Sequence, residues 1–284
     1  VKRRFGIAAA LWLSWGQPGA STDIEVHCQG RGPLVYLIGG GPAFTTWHLE
    51  PVQERLRDDY RVCRWDMRGV GDNADLPVRS DVPVLEQWLG DMRRVLPEEP
   101  VVLWGHSWGA LQAMLFARAH PGRVGRLVLS NPVDPGLRSL DGIEHKRFNH
   151  PHPANGLELE DIGTPAEALY NLRSKVASYF VDAEQGWAYA AQFGRSDANN
   201  RLNVRIWEEY RQQPLTASDV RGLTDKISGI IYCRDDVLQP EALDEYRRLL
   251  DADKHHVLSG CAHFPWEENP EVYVSVLQRL LDED

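Results

Sequence analysis

The residues best suited to do chemistry in this chain are one serine, one histidine and one aspartate, each in a short loop after an apolar run. Ser107 lies in Gly105-His106-Ser107-Trp108-Gly109, a G-x-S-x-G sequence. Val101-Val102-Leu103-Trp104 precedes it and reads as a buried strand; Ala110 to Ala119 follows and reads as a helix. A tight strand–turn–helix corner of this kind pushes one hydroxyl out above the end of a sheet. A serine hydroxyl is a weak nucleophile at neutral pH. It needs a neighbouring base, and the base needs a group that holds it and stabilises its cation. His263, in Gly260-Cys261-Ala262-His263-Phe264-Pro265, is the candidate base, and Asp236, in Cys233-Arg234-Asp235-Asp236, is the candidate holder. Asp235 is the rival acid, but neighbouring loop residues point in different directions, so one of the two reaches the histidine. His106 is adjacent to Ser107 in sequence, and its side chain is expected to point away, which makes it a packing or positioning residue at the substrate site and not the base.

Acyl transfer also needs two donors aimed at the developing oxyanion. The backbone N–H of Trp108 is one. The turn Gly39-Gly40-Gly41-Pro42 supplies the other, with Gly41 first and Gly40 next. The turn lacks G-x-G-x-x-G and the Lys-Ser/Thr of a phosphate loop. Gly40, Phe44, His106, Trp187 and Phe264 are candidate substrate contacts. Such chemistry requires no cofactor. His145, His150 and His152 look like metal ligands on paper, but prolines separate them in a loop, and a solvated loop is the expected account. No CxxC and no Cys/His ligand spacing is present, which argues against zinc. Cys28, Cys63 and Cys233 lie in or beside apolar runs and read as small buried hydrophobes. With Cys261 they leave three disulfide pairings open.

These groups must be carried by a scaffold. Ile24–Cys28, Leu34–Ile38, Tyr60–Trp65, Val101–Trp104, Arg126–Ser130, Ile227–Cys233 and His255–Leu258 read as strands. Helical runs intervene at Leu49–Arg57, Leu85–Leu96, Ala110–Ala119 and Pro240–Asp251, and a last helix opens at Asn269-Pro270. The alternation predicts an α/β fold with a mostly parallel central sheet and helices on both faces. It breaks between about 135 and 217, where the text is helical, loop-rich and aromatic. The expected organisation is therefore a core of 22–134 and 218–284 with a helical lid at 135–217. Residues 1–21 carry a basic patch, Lys2-Arg3-Arg4, and an apolar stretch from Phe5 to Trp15. They read as a signal peptide or a loosely docked leader, which leaves a cytoplasmic and an exported location both open.

Composition narrows the partners. A net charge of -10 argues against nucleic acid, since phosphate binding needs a basic face. No run of about twenty apolar residues exists, so membrane insertion by a spanning helix is not expected. The expected partner of the serine chemistry is a small-molecule ester.

At this point the chain resembles a known superfamily. Gly39-Gly40-Gly41-Pro42-Ala43 resembles the HGGPG turn of α/β-hydrolases related to proline iminopeptidases, and Asp66-Met67-Arg68-Gly69-Val70-Gly71 resembles their D-x-R-G-x-G loop. The elbow around Ser107 and Arg234-Asp235-Asp236-Val237-Leu238-Gln239-Pro240 complete the set, and the likeness covers roughly 24–134 and 220–284. It implies the α/β-hydrolase fold and the chain order Ser, Asp, His. There are departures. Gly39 replaces the motif histidine, Ala43 replaces its last glycine, and His106 stands where those peptidases usually have a second glycine. The peptidases hold a substrate ammonium with lid carboxylates, a role Glu208 and Glu209 could fill, although acids in a charged helix more often form a solvated face. The layout is also similar to serine-dependent macrolide esterases, whose bulky apolar lactones an aromatic lid would suit. The expectation is a serine esterase; an iminopeptidase is the alternative, and a non-catalytic binding protein on the same fold is the second.

Overall fold

A computed structural model describes residues 23–149, 151 and 163–282; the leader expected at 1–21 lies outside them, as do His150 and His152. Seven strands form one sheet in the order β1-β3-β2-β4-β5-β6-β7. They are β1 (His27–Gln29), β2 (Leu34–Ile38), β3 (Arg61–Arg64), β4 (Val101–His106), β5 (Val124–Ser130), β6 (Ile227–Cys233) and β7 (His255–Leu258). Only β1, a short edge strand, runs antiparallel.

The apolar runs of the central strands follow from burial on both faces. In β2, Tyr36 and Ile38 enter one core layer and Val35 and Leu37 the other; in β5, Leu127 and Leu129 face one layer and Val128 the other. Helices α1 (Glu50–Leu56) and α11 (Pro270–Asp282) cover one side, and α2 (Val84–Val95) and α3 (Trp108–Ala119) the other. Helix α3 is buried from Trp108 through Ala117, which explains why its sequence is apolar all round and not amphipathic.

Between β5 and β6 the chain leaves the sheet for α4 (Ile143–Phe148), α5 (Pro165–Ala177), α6 (Ala183–Ala190), α7 (Asn200–Gln212) and α8 (Ala217–Arg221). Side-chain caps open four of these. Thr164, Asp182, Asn199 and Thr216 each accept a hydrogen bond from a first-turn N–H, satisfying donors that would otherwise be orphaned. Helix α9 (Glu241–Arg247) follows β6, and α10 (Pro265–Glu268) follows β7.

The cysteines depart from their expected role as free buried hydrophobes. They form two disulfides, Cys28–Cys63 and Cys233–Cys261. The first staples edge strand β1 to β3, where the two cysteines are directly opposed in the ladder. The second joins the end of β6 to the loop after β7. The spacing of the cysteines alone does not say which partners the fold brings opposite.

Candidate active site

The sheet ends bring the predicted groups together. Residue Ser107 has φ 55° and ψ -121°, a conformation that an L residue adopts only when its surroundings force it. The forcing comes from packing. A Cβ on Gly109 would lie 2.1 Å from the carbonyl oxygen of Ile38, and one on Gly105 would lie 2.7 Å from the Ala110 backbone. Both flanking positions therefore require glycine, and helix α3 can start close against β2 and β4. The Ser107 N–H donates to Ser130 O on β5 (3.0 Å), which fixes the corner to the neighbouring strand.

His263 and Asp236 meet above β6 and β7. The His263 Nδ1 lies 2.8 Å from Asp236 Oδ2, and both residues are buried. A carboxylate accepts only, so Nδ1 carries the proton and Nε2 presents its lone pair. The other carboxylate oxygen of Asp236 accepts the Leu238 N–H (2.9 Å). Asp235 is exposed, so of the two rival acids Asp236 is the one that reaches the histidine.

His263 is held from three sides by residues that motif reading did not select for this task. Its N–H donates to Tyr179 O (2.9 Å), and the Tyr179 ring packs on the imidazole at 4.4 Å between centroids. Its carbonyl accepts from His106 Nε2 (2.9 Å) and from Asn131 Nδ2 (3.2 Å). Asn131 also accepts the Cys233 N–H, so one side chain ties β6 to the histidine loop. The only sequence signal for Asn131 is its place after β5, before Pro132. Since a carbonyl can only accept, His106 carries its proton on Nε2. Burial lowers the His106 pKa well below its ordinary value, with His263 and His48 adding to the shift. His48, packed among His106, Phe264 and Trp266, is likewise neutral; burial brings its pKa down to about 3. Neither can serve as a proton-transfer base for Ser107 without disturbing this aromatic floor.

A cavity of about 320 Å³ lies over these groups, lined by Ser107, His263, Gly41, Tyr179 and Trp207 among others. Gly40, Phe44, His106 and Phe264 line a smaller apolar recess next to it, which Gly41 and His263 also border. A Cβ on Gly40 would stand 3.0 Å from Ser107 Cβ, so the glycine turn abuts the serine. Trp108 is the first residue of α3, and the first N–H groups of a helix have no acceptor within it. The glycine turn is braced from below. Asp66 of the D-x-R-G-x-G loop accepts the Thr46 N–H (2.6 Å) and its hydroxyl (2.8 Å). That motif thus positions backbone and does not reach the cavity.

Trp187, Glu208 and Glu209 lie away from the cavity. Trp187 donates to Pro151 O and packs on Tyr170, and it is absent from the cavity walls among the described residues. It was chosen for being aromatic, and in a helical segment that signal marks local packing as readily as a ligand site. Glu208 is exposed, and Glu209 accepts the N–H groups of Val84 and Leu85 (2.9 Å each), capping α2 and pairing with Arg205. Neither is a free carboxylate facing the serine. Of His145, His150 and His152 only His145 is among the described residues; it is exposed and contacts Asn149.

The sequence profile of the alpha/beta hydrolase family matches residues 34–276. Among curated relatives, 2-hydroxy-6-oxononadienedioate/2-hydroxy-6-oxononatrienedioate hydrolase 2 of Pseudomonas putida is 34% identical over 272 residues, covering 88% of this chain and 89% of that protein. A proline iminopeptidase of Heyndrickxia coagulans is 22% identical over 275 residues, covering 89% and 92%. Among solved structures, a thermophilic esterase from Thermogutta terrifontis superposes with a TM-score of 0.67 at 19% identity, covering 91% and 92%. The profile spans the strands that carry Ser107, Asp236 and His263, and the chain belongs to the alpha/beta hydrolase family.

Proposed function

We propose that this protein is a serine hydrolase that cleaves a carboxylic ester by a two-step acyl transfer. The observation that carries the reading is the convergence of Ser107, in its strained corner, with the Asp236-held His263 on one cavity. Ser107 Oγ attacks the ester carbonyl while His263 Nε2 takes its proton. Charge on the carbonyl oxygen is stabilised by the N–H groups of Gly41 and Trp108. The intermediate collapses, the C–O bond to the alcohol breaks, and His263 returns the proton to the leaving oxygen. Water then attacks the acyl-serine with His263 again as base, releasing the acid and restoring Ser107. Asp236 orients His263 throughout and stabilises its cation. The chemistry needs no cofactor.

The helices between β5 and β6 act in this reading as a lid, since Tyr179 and Trp207 wall the cavity from above. Beyond them a cleft of about 1070 Å³ opens toward α5, with room for a bulky acyl or alcohol group, a large-ring lactone included. The iminopeptidase alternative draws on the relative from Heyndrickxia coagulans. It lacks its expected ammonium holders, because Glu209 is committed to α2 and Glu208 faces solvent. The relative from Pseudomonas putida is named as a hydrolase of 2-hydroxy-6-oxononadienedioate, which keeps a second substrate class beside the simple ester.

A panel of short nitrophenyl esters, a large-ring macrolide and proline-naphthylamide tests the reading, together with fluorophosphonate labelling. Ester turnover and a label on Ser107, both lost in Ser107→Ala, are expected. Proline-amide cleavage without ester turnover would replace this reading with the peptidase, and an unlabelled, inactive protein would point to a binding role.

A further inference from the structure

The inner cavity carries a charge pattern opposite to that of the chain. The sequence has 41 acidic and 31 basic residues, histidine aside. Yet Arg147, Lys175 and Arg211 line this cavity against one acid, Glu144. Glu144 is largely spent: it pairs with Arg147 Nη1 at 2.7 Å and turns most of its side chain to solvent, whereas the Arg147 side chain is 15% exposed.

Lys175 is the sharper feature. It projects from α5, and its Nζ lies 4.9 Å from the centre of the Phe44 ring. Among the described residues no carboxylate comes within ion-pair distance of that amine. Lys175 is part-buried, with Glu144 near enough to act on it but not in contact, and a partly desolvated cation without a contacting carboxylate is costly. Burial, with Arg147 next to it, brings the Lys175 pKa down to about 7. Arg147 donates to the Tyr179 hydroxyl (3.0 Å), and its Nε is buried without a partner among the described residues. Lys175, Arg147 and Glu144 are common to the inner cavity and the outer cleft, so they stand at the neck between the two.

We propose that Lys175, backed by Arg147, is an anion-binding subsite at this neck, and that the ester cleaved at Ser107 carries an ionised carboxylate. The inference rests on the serine-hydrolase reading and names the substrate class for that same site. A carboxylate at the neck gives Lys175 a contacting counter-ion that none of the described residues supplies, and keeps it as an ammonium. The apolar wall of Val133, Leu140, Ile143 and Leu238 takes the uncharged portion. Charge-assisted hydrogen bonds of this kind are the strong ones. A substrate ammonium at the same place would meet two cations.

The test compares esters that differ in one charge. On the acyl side, the mono-nitrophenyl ester of glutaric acid is set against nitrophenyl pentanoate. On the alcohol side, 4-(carboxymethyl)phenyl acetate is set against 4-methylphenyl acetate. The wild-type enzyme is expected to prefer one acidic ester over its neutral mate by about tenfold or more in kcat/KM, a preference carried mainly by KM. Lys175→Met should collapse that ratio toward one, and Lys175→Arg should retain most of it. No acidic preference in the wild type, or a preference that survives Lys175→Met, overturns the subsite. The wild-type ratio alone decides the matter if Lys175→Met does not fold. Ser107→Ala is run alongside: hydrolysis that persists there sinks the serine-hydrolase reading itself, whereas Ser107-dependent, charge-blind hydrolysis sinks only the subsite.

Discussion

The sheet ends and the helices inserted between β5 and β6 contribute to the same cavity in different ways. Ser107, Asp236 and His263 stand on strand ends whose backbone is fixed by ladder bonds, close glycine packing, a disulfide and Asn131. Their geometry follows from how the sheet must be built. Among the described residues the insertion adds no strand to the sheet, and its one β-bridge to the core is the antiparallel pair Ala198 and Phe44. It is positioned by caps, aromatic contacts and a few hydrogen bonds such as Tyr179 O to the His263 N–H. In the proposed reading, chemistry is therefore placed on the part of the molecule with least freedom, and selectivity on the part that can change without dismantling the core.

Breaking the rigid side should have the largest effect. Asp236→Asn keeps the shape but replaces an acceptor with a group that can donate to His263, turning the imidazole to the wrong tautomer. A fall of about 10⁴ in kcat for an activated ester is expected, with the melting temperature little changed. Steady-state kinetics beside a thermal melt would check it. Retention of more than a tenth of wild-type kcat would mean that Asp236 does not hold the base.

The next effect separates scaffold from site. The Cys233–Cys261 disulfide closes a loop over a sequence separation of 28 and ties the strand ends that carry Asp236 and His263. Replacing both cysteines with serine should cost about 3.6 kcal/mol of stability by the loop-closure argument. Denaturant melts measure that cost, and activity assayed well below the transition reads the positioning separately. Unchanged stability would make the bond incidental to the fold.

The same division governs what could be read from the amino acids. Ser107, His263 and Asp236 were legible because each sits in a short turn after an apolar strand, and a parallel sheet gathers such turns at one edge. The choice between Asp235 and Asp236 followed a similar logic. Trp187 was misjudged, and Lys175, Arg147 and Asn131 were not singled out, because nothing local distinguishes them. A lysine in the amphipathic α5 looks like any solvated lysine until tertiary packing closes over it, and a capping glutamate such as Glu209 looks like a ligand group. The cystine pairings depend on which strands lie opposite, information held by the sheet order and not by the spacing of the cysteines.

A smaller effect, of about tenfold, tests the charge of the inserted side. Lys175, held at about 7, is an ammonium below that pH and a neutral amine above it. The preference for an acidic ester should therefore be greatest near pH 6 and decline as pH rises past 7. The other groups facing the neck act differently. Arg147 and Arg211 keep their charge across this range and so add nothing to the slope of the ratio with pH. Burial raises the Tyr179 pKa, so its hydroxyl stays neutral. Glu144 repels an anion and works against the preference. A change at His263 acts on both esters alike and cancels in their ratio. A ratio that is flat from pH 6 to 8.5 would mean that Lys175 does not supply the charge, even if an anion preference exists.

The smallest effect is expected at the residue that sequence composition made look most like a substrate contact in the insertion. Trp187 packs on Tyr170 and donates to Pro151 O, on a part of α6 that does not reach the cavity walls. In Trp187→Phe the ring contact is largely kept and one exposed hydrogen bond is lost, a change that usually shifts stability by less than about 1 kcal/mol. The kcat/KM for both members of an ester pair should change by less than about twofold, whereas Tyr179→Leu, which removes the ring from His263 and the hydroxyl from Arg147, should lower both and shrink the acidic preference. If Trp187→Phe instead alters the acidic-to-neutral ratio as strongly as Lys175→Met does, then α6 closes on the substrate during turnover. The boundary between scaffold and selectivity would then have to be drawn from a closed form of the insertion and not from this one.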